Sequence, residues 1–441
     1  MIDLEQCRRE IAAAVTPFYR GRVEIVSGVM VEAVGVPAAV GELCAIRRSP
    51  PDPDVRAEVV GFRGNRTLLM PYGELAGIFP MQPVIGLGRP FRTPVGDALL
   101  GRILSGFCEP IDGGPPLASA ALRDVRCEGP APLQRLPIAE AMQTGVRAID
   151  AFTTLGRGQR LGIFAGSGIG KSSLLGQITR GSDADVIVVA LVGERGREVR
   201  AFIDGVLGED GLAKAVTVVA TSDRPPIERY IAPFVAVTIA EDFRDRGMNT
   251  LLVMDSVTRF AAAAREIGLA AGEPPTVRGY PPSFFATVPK LVERMGRTQA
   301  GSITGLLTIL LDADDPNDPV ADTMRGLLDG HLFLDRRLAS QGHYPAIDVL
   351  ASLSRLMPEV VTPRHAAQAR RLREVMSAWR EGRDLVEIGA YKAGTNPELD
   401  LALVLCPALD SFLRQDSSEH SRFEETLELL AAIHRHAEVR S

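Results

Sequence analysis

At 441 residues, with 46% hydrophobic and 24% charged residues, the chain has the composition of a soluble globular protein and the length of about three domains. Its 49 basic and 55 acidic residues give a net charge of -6, which argues against a nucleic-acid binder driven mainly by charge. Five cysteines (Cys7, Cys44, Cys108, Cys127, Cys406), odd in number and without CxxC spacing, indicate neither a disulfide framework nor a zinc site, and read as thiols of a reducing compartment.

The first residues, MIDLEQCRREIAAAV, mix acids and bases and lack the apolar core of a signal peptide. No run approaches the ~20 apolar residues of a membrane span, so a cytoplasmic protein is expected. Residues 3–15 place Leu4, Cys7, Ile11 and Val15 on one helical face. From Gly21 to Gly88, six short β-branched runs (GRVEIV, VMVEAVG, ELCAIRR, VRAEVVGF, TLLMP, VIGLG) are separated by turn residues and predict a small closed barrel. An oligonucleotide-binding barrel is disfavoured, because the aromatics available for stacking are few: Phe62, Tyr72 and Phe79. Residues 89–135, rich in Pro and Gly, read as an ordered connector that still holds the apolar LLGRIL.

From about 136 to 350 strands and helices alternate, which implies a parallel sheet covered on both faces. After the strand that opens at Leu161, strand candidates are 186–192, 216–220, 250–255 and 303–311, all near-continuous apolar runs. Helix candidates are 173–180, 196–207, 228–247 and 256–266. Beyond about 358 the pattern is helical, with a stripe of Leu372, Val375, Met376 and Trp379, and with Ser421 and Glu424 spaced as a capping box. The division expected is 1–18 (helical segment), 19–90 (β-barrel), 91–357 (P-loop α/β core) and 358–441 (helical domain).

The stretch 158–173, GQRLGIFAGSGIGKSS, organises this plan. An apolar strand opens into a loop of small residues that ends in Gly170-Lys171-Ser172-Ser173 and runs into a helix, as in a P-loop. Backbone N–H groups of Gly166, Ser167, Gly168, Ile169, Gly170, Lys171, Ser172 and Ser173 are positioned to cradle phosphates, helped by the helix N-terminus. Lys171 is expected to reach the β- and γ-phosphates and Ser172 to ligate Mg²⁺. One position departs from the pattern: Ala165 stands where Gly is usual.

Ligands of parallel sheets sit at the carboxyl ends of the strands, and two acids fall there. Asp255, after TLLVM, fits a magnesium-side acid, directly or through water. Glu194, after VIVVALVG, fits a general base that activates water. Arg195, Arg259 and Arg355 are candidates for the positive charge that phosphoryl transfer requires. Arg259 follows Asp255 by four residues, one helical turn. The acidic run DADDPND (312–318) departs from calcium-loop spacing and reads as a solvated loop. His331 and His343 are isolated and receive no metal role.

These residues carry a family resemblance. The segments GELC (41–44), FAGSGIGKS (164–172), VGERGREV (192–199), VMDSVTRFA (253–261), GEPPTVRGYPPSFFA (272–286), DDPNDPVADTMRGLLDGH (314–331), HYPAIDVLASLSRLMP (343–358) and IGAYKAGTNPELD (388–400) resemble the protein-export ATPases of bacterial type III secretion. Those flagellar and injectisome enzymes are relatives of the catalytic subunit of rotary ATP synthases. The resemblance spans about residues 20–415 and implies a RecA-like core between an N-terminal barrel and a C-terminal helical domain.

It also implies ATP and Mg²⁺ as cofactors. Lys171, Glu194, Arg195, Asp255 and Arg259 would form the catalytic set, Tyr344 and Tyr391 would flank adenine, and Arg355 would be an arginine finger offered to a neighbour in a homohexamer. Implied partners are stator-like and stalk-like proteins, secreted subunits and their chaperones, at the cytoplasmic face of an inner-membrane export gate. Nucleic acid is not among them. The wording of residues 343–358 favours the flagellar branch over the injectisome branch. Three other readings are weighed. A non-catalytic ring subunit is opposed by Glu194, a nucleic-acid translocase by the acidic balance, and an ATP synthase subunit by GYPPSFFATVPKLVERMG and the DGH triplet. No role is assigned to residues 416–441.

Overall fold

A computed structural model describes residues 20–117, 120–311 and 318–438. The expected helix at 3–15 and most of the acidic run 312–318 lie outside these. The six predicted barrel strands form and close on themselves, in the order Arg20–Ser27, Met30–Val34, Arg66–Pro71, Val55–Arg63, Glu42–Ile46, Pro83–Pro90. Alternate residues point inward, so Val23, Val31, Cys44, Ile46, Val59 and Leu69 fill the interior at 0% exposure. Tyr72 is not a free aromatic on this barrel. Its ring stacks on Phe107 at 4.4 Å and its hydroxyl donates to Glu58 (2.8 Å). It seals the barrel against the core domain.

The core sheet runs Leu353–Ser354, Gly330–Phe333, Arg160–Ala165, Ser302–Leu310, Asn249–Asp255, Val186–Val192, Ala215–Ala220, Ile103–Ser105. Its strands are parallel except Leu353–Ser354. The apolar runs divide by parity, as the pleat requires. Val186, Val188, Ala190 and Val192 join one core layer, with helices Pro226–Asp245, Val257–Ala271 and Pro282–Val292. Ile187, Val189 and Leu191 join the other, with the P-loop helix Lys171–Gly181 and the C-terminal helices.

Two details depart from expectation. Ile103–Ser105, within the stretch read as a Pro- and Gly-rich connector, is a strand and forms the edge of the core sheet. The predicted helix at 196–207 is α-helical only over Gly196–Ala201 and widens to a π-turn over Phe202–Leu207.

The C-terminal region is three helices, Pro363–Glu387, Pro397–Leu413 and Phe423–Glu438. In the first, Leu372 and Val375 are fully buried, with Met376 and Trp379 packed beside them. Only the acid half of a capping box forms, one residue on: the Arg422 N–H donates to Glu425 (3.3 Å), and an arginine at that position has no side-chain acceptor to return the bond. Ser421 is occupied instead by Arg147, whose guanidinium donates to its hydroxyl (3.2 Å).

Candidate nucleotide site

The P-loop leaves the carboxyl end of Arg160–Ala165. Gly168 (φ 78°) and Gly170 (φ 90°) take the left-handed region, which frees the loop to turn its N–H groups inward. Ala165 sits in the strand with its methyl fully buried, so the departure from the usual Gly is accommodated. The Ile169 side chain, 2% exposed, anchors the loop in the core. Ser167, Ser172 and Ser173 are exposed on the solvent side.

Lys171, Asp255 and Glu194 meet at this point. The Lys171 ammonium ion-pairs with Asp255 Oδ1 and stands 3.6 Å from Glu194 Oε1. Asp255 Oδ1 also accepts from the Thr308 hydroxyl (2.7 Å). Glu194 ends the turn after its strand and is almost enclosed, with 14% of its side chain exposed. Its Oε1 makes no hydrogen bond. Burial, and next the charge of Asp255, push the Glu194 carboxyl up to about 7 against the pull of Lys171. A carboxyl poised there can exchange a proton at neutral pH.

Arg259 is brought beside this acid through a glycine. Gly193 (φ 71°) has no room for a Cβ, which would lie 2.7 Å from Arg259 Cβ, so the arginine stem crosses its backbone. Arg195 is the residue before helix Gly196–Ala201. It is exposed, with its guanidinium 3.4 Å from Glu198. Tyr344 lies across the loop from the other side. A Cβ on Gly170 would fall 3.2 Å from Tyr344 Cε1, and Tyr344 keeps 46% exposure.

Two predicted residues are not brought here by this chain. The Arg355 N–H donates to the Asp329 carbonyl (2.9 Å) and the Asp329 N–H to the Arg160 carbonyl (2.9 Å). Arg355 is therefore level with the start of the P-loop strand, and the loop leaves five residues on, about 17 Å along the strand. The Arg355 side chain is exposed, with a 3.4 Å contact to the Arg325 carbonyl. The Tyr391 hydroxyl shares its proton between the Asn396 carbonyl (2.9 Å) and Asp400 (2.8 Å), at the start of helix Pro397–Leu413. Sequence reasoning missed Thr308 and Gly193. Thr308 carried a signal, as a polar residue inside an apolar strand. Gly193 carried a weaker one, as the glycine that ends VIVVALV.

Donor chemistry at the loop suits magnesium. The Ser172 hydroxyl and the Asp255 carboxylate are hard oxygen ligands, and Mg²⁺ retains water in such partial sites. Among the described residues, no helix is long and apolar enough to cross a membrane.

Comparison with known proteins agrees with this fold. Three family descriptions match: the ATP synthase alpha/beta family nucleotide-binding domain over 145–354, its beta-barrel domain over 23–88, and the C-terminal domain of the type III secretion ATPase EscN over 361–432. A type 3 secretion system ATPase of Xanthomonas euvesicatoria is 49% identical over 96% of this chain and 96% of its own. A flagellum-specific ATP synthase of Bacillus subtilis is 48% identical over 94% of each. The solved structure of the assembled ATPase EscN from enteropathogenic E. coli superposes with a TM-score of 0.89 at 43% identity, covering 94% of this chain and 100% of that one. With a barrel, a P-loop core and a helical C-terminus in the same order and nearly half its residues shared, the chain belongs to the ATP synthase alpha/beta family, among its type III secretion and flagellum-specific ATPases.

Proposed function

We propose that this chain hydrolyses Mg-ATP in a homohexameric ring that energises protein export, with each site completed by Arg355 of the neighbouring subunit. The observation that carries the reading is the meeting of Lys171, Asp255 and Glu194 at the carboxyl ends of neighbouring strands, while Arg355 stands at the opposite end of the P-loop strand.

Lys171 and the loop N–H groups of 166–173 bind the phosphates. Ser172 and Asp255 hold the magnesium, which when bound neutralises phosphate charge. Phosphate oxygens then take up the Lys171 ammonium that Asp255 engages here. Glu194, desolvated and raised toward neutrality, orients the attacking water and accepts its proton. Arg259 and Arg195 supply positive charge on the Glu194 side, and Tyr344 stacks on adenine. Tyr391, hydrogen-bonded to the start of helix Pro397–Leu413, is a candidate for the outer edge of the base site only after movement of the C-terminal helices.

The hexamer and its stalk-like partner are supported by solved relatives. EscN has been seen assembled and in complex with its central stalk EscO, at a TM-score of 0.86 and 42% identity. We place the protein in the cytoplasm, docked peripherally at an inner-membrane export apparatus with its regulator, chaperones and secreted substrates. We read that apparatus as flagellar. The 49% identity to a secretion ATPase keeps an injectisome as the second reading. Replacing Glu194 with Gln tests the chemistry: nucleotide binding and ring formation should persist while turnover is lost. Near-normal turnover would remove Glu194 from the role of base.

A further inference from the structure

Tyr344 is not held by its own segment alone. Its carbonyl accepts from the Gln415 N–H (2.8 Å), and the Gly342 carbonyl accepts from Arg414 (2.9 Å). Both donors lie in the loop that joins the last two C-terminal helices. The same loop is tied to the P-loop helix. Gln177 donates to the carbonyls of Asp416 and Glu419 (3.1 Å each), and Arg180 donates to the carbonyl of Ser417 (2.7 Å). The loop thus touches both flanks of the nucleotide site.

A single buried arginine fixes its shape. Arg147, 9% exposed, threads the loop from beneath. Its guanidinium donates to the carbonyls of Phe412 (2.8 Å) and Arg414 (2.6 Å), to the Ser421 hydroxyl (3.2 Å) and to the Glu419 carboxylate. Its backbone N–H donates to Gln415 Oε1 (2.9 Å), and Gln415 Nε2 donates in turn to the Gly145 carbonyl (2.8 Å). These four guanidinium bonds pin the loop at Phe412, Arg414, Glu419 and Ser421, with only the Glu419 end open to solvent. This work is remote from phosphate, so the chemistry of hydrolysis does not account for it.

We propose that loop 414–421, locked by Arg147, is a strap that sets Tyr344 against the P-loop and couples it to the P-loop helix, which makes Arg147 a positioning residue for binding of the base. The inference rests on the reading of Tyr344 as the adenine platform. Loss of the lock loosens Tyr344 while Lys171, Asp255 and Glu194 stay in place. The effect therefore falls on KM, with kcat little changed.

The test uses full-length Arg147→Gln, Arg147→Lys and Tyr344→Ala, each checked for folding by circular dichroism and for assembly by light scattering. Steady-state kinetics with ATP are combined with hydrogen exchange at the Gln415 amide, with and without Mg-ADP. Arg147→Gln is expected to raise KM for ATP about tenfold, the scale of one lost charged hydrogen bond. It should also remove the ADP-induced protection of Gln415, with Lys restoring part of each. A folded Arg147→Gln protein with unchanged KM and unchanged Gln415 protection overturns the strap. Should Arg147→Gln fail to fold, Gln177→Leu with Arg180→Met cuts the helix side of the strap, and an unchanged Gln415 response there overturns it equally. If Tyr344→Ala leaves the KM for ATP unchanged, the platform reading fails, and the exchange data alone decide whether the strap stands.

Discussion

Glu194 makes a prediction that concerns stability and can be read without substrate. Its carboxyl is raised from 4.5 to about 7 in the folded protein, chiefly by burial. The fold thus prefers the protonated acid. That preference is fully present below pH 4.5 and is lost as pH rises through 7, because above 7 the folded state must hold a buried carboxylate that the unfolded chain would expose to water. Two and a half pH units correspond to about 3 kcal/mol, and to roughly 2 after the solvent screening open to a side chain that keeps 14% of its surface exposed. Glu194→Gln removes the titration while keeping the shape. For a cooperative unit of ~200 residues, 2 kcal/mol raises the melting midpoint by about 4–8 °C.

The assay is differential scanning fluorimetry of wild type and Glu194→Gln without nucleotide, from pH 5 to pH 8 at constant ionic strength. The two curves should approach one another at pH 5, and the Gln variant should melt higher by several degrees at pH 8. A midpoint difference that is flat with pH, or a Gln variant that melts lower at pH 8, would refute the argument that this acid is held protonated by burial.

Further outcomes follow from the same site. The free enzyme should show kcat/KM for Mg-ATP rising with pH through an apparent value near 7, and a profile flat from pH 5.5 to 8.5 would separate Glu194 from the proton transfer. Gly193→Ala forces a Cβ to 2.7 Å from Arg259 at a φ of 71°. It should cost about 1–2 kcal/mol in stability and lower kcat at least about tenfold by displacing Arg259, and an unaltered kcat in the purified variant would show that Arg259 does not act there. Thr308→Val deletes the 2.7 Å hydrogen bond to Asp255, and should weaken Mg-dependent ATP binding several-fold in a titration with magnesium, while binding of ATP in EDTA is unaffected.

The sequence made the frame legible because period and punctuation are local. Six β-branched runs between turn residues became the six barrel staves, and the apolar runs ending at Val192 and Asp255 became core strands whose ends carry Glu194 and Asp255. Tertiary facts left no such mark. Ile103–Ser105 is too short to show a period, and its neighbours are Pro and Gly, so its place at the sheet edge was hidden. Ser421 obeyed a capping pattern that a distant arginine overrode, because Arg147 lies 274 positions away in the chain and no spacing rule reaches it. The contact of Tyr344 with Gly170 and the crossing of Gly193 by Arg259 depend on backbone approach, which a sequence expresses only as a glycine.

The central claim is an ATPase site shared between subunits, and it is tested most directly by Mg-ATPase rate per subunit against protein concentration, with Arg355→Ala subunits mixed into wild type. Arg355 stands about 17 Å from where its own P-loop departs, so the account predicts a specific rate that rises steeply as rings assemble and that Arg355→Ala subunits poison beyond their share of the mixture. A substantial rate that stays constant down to concentrations where light scattering shows only monomer, undiminished in Arg355→Ala, would contradict it.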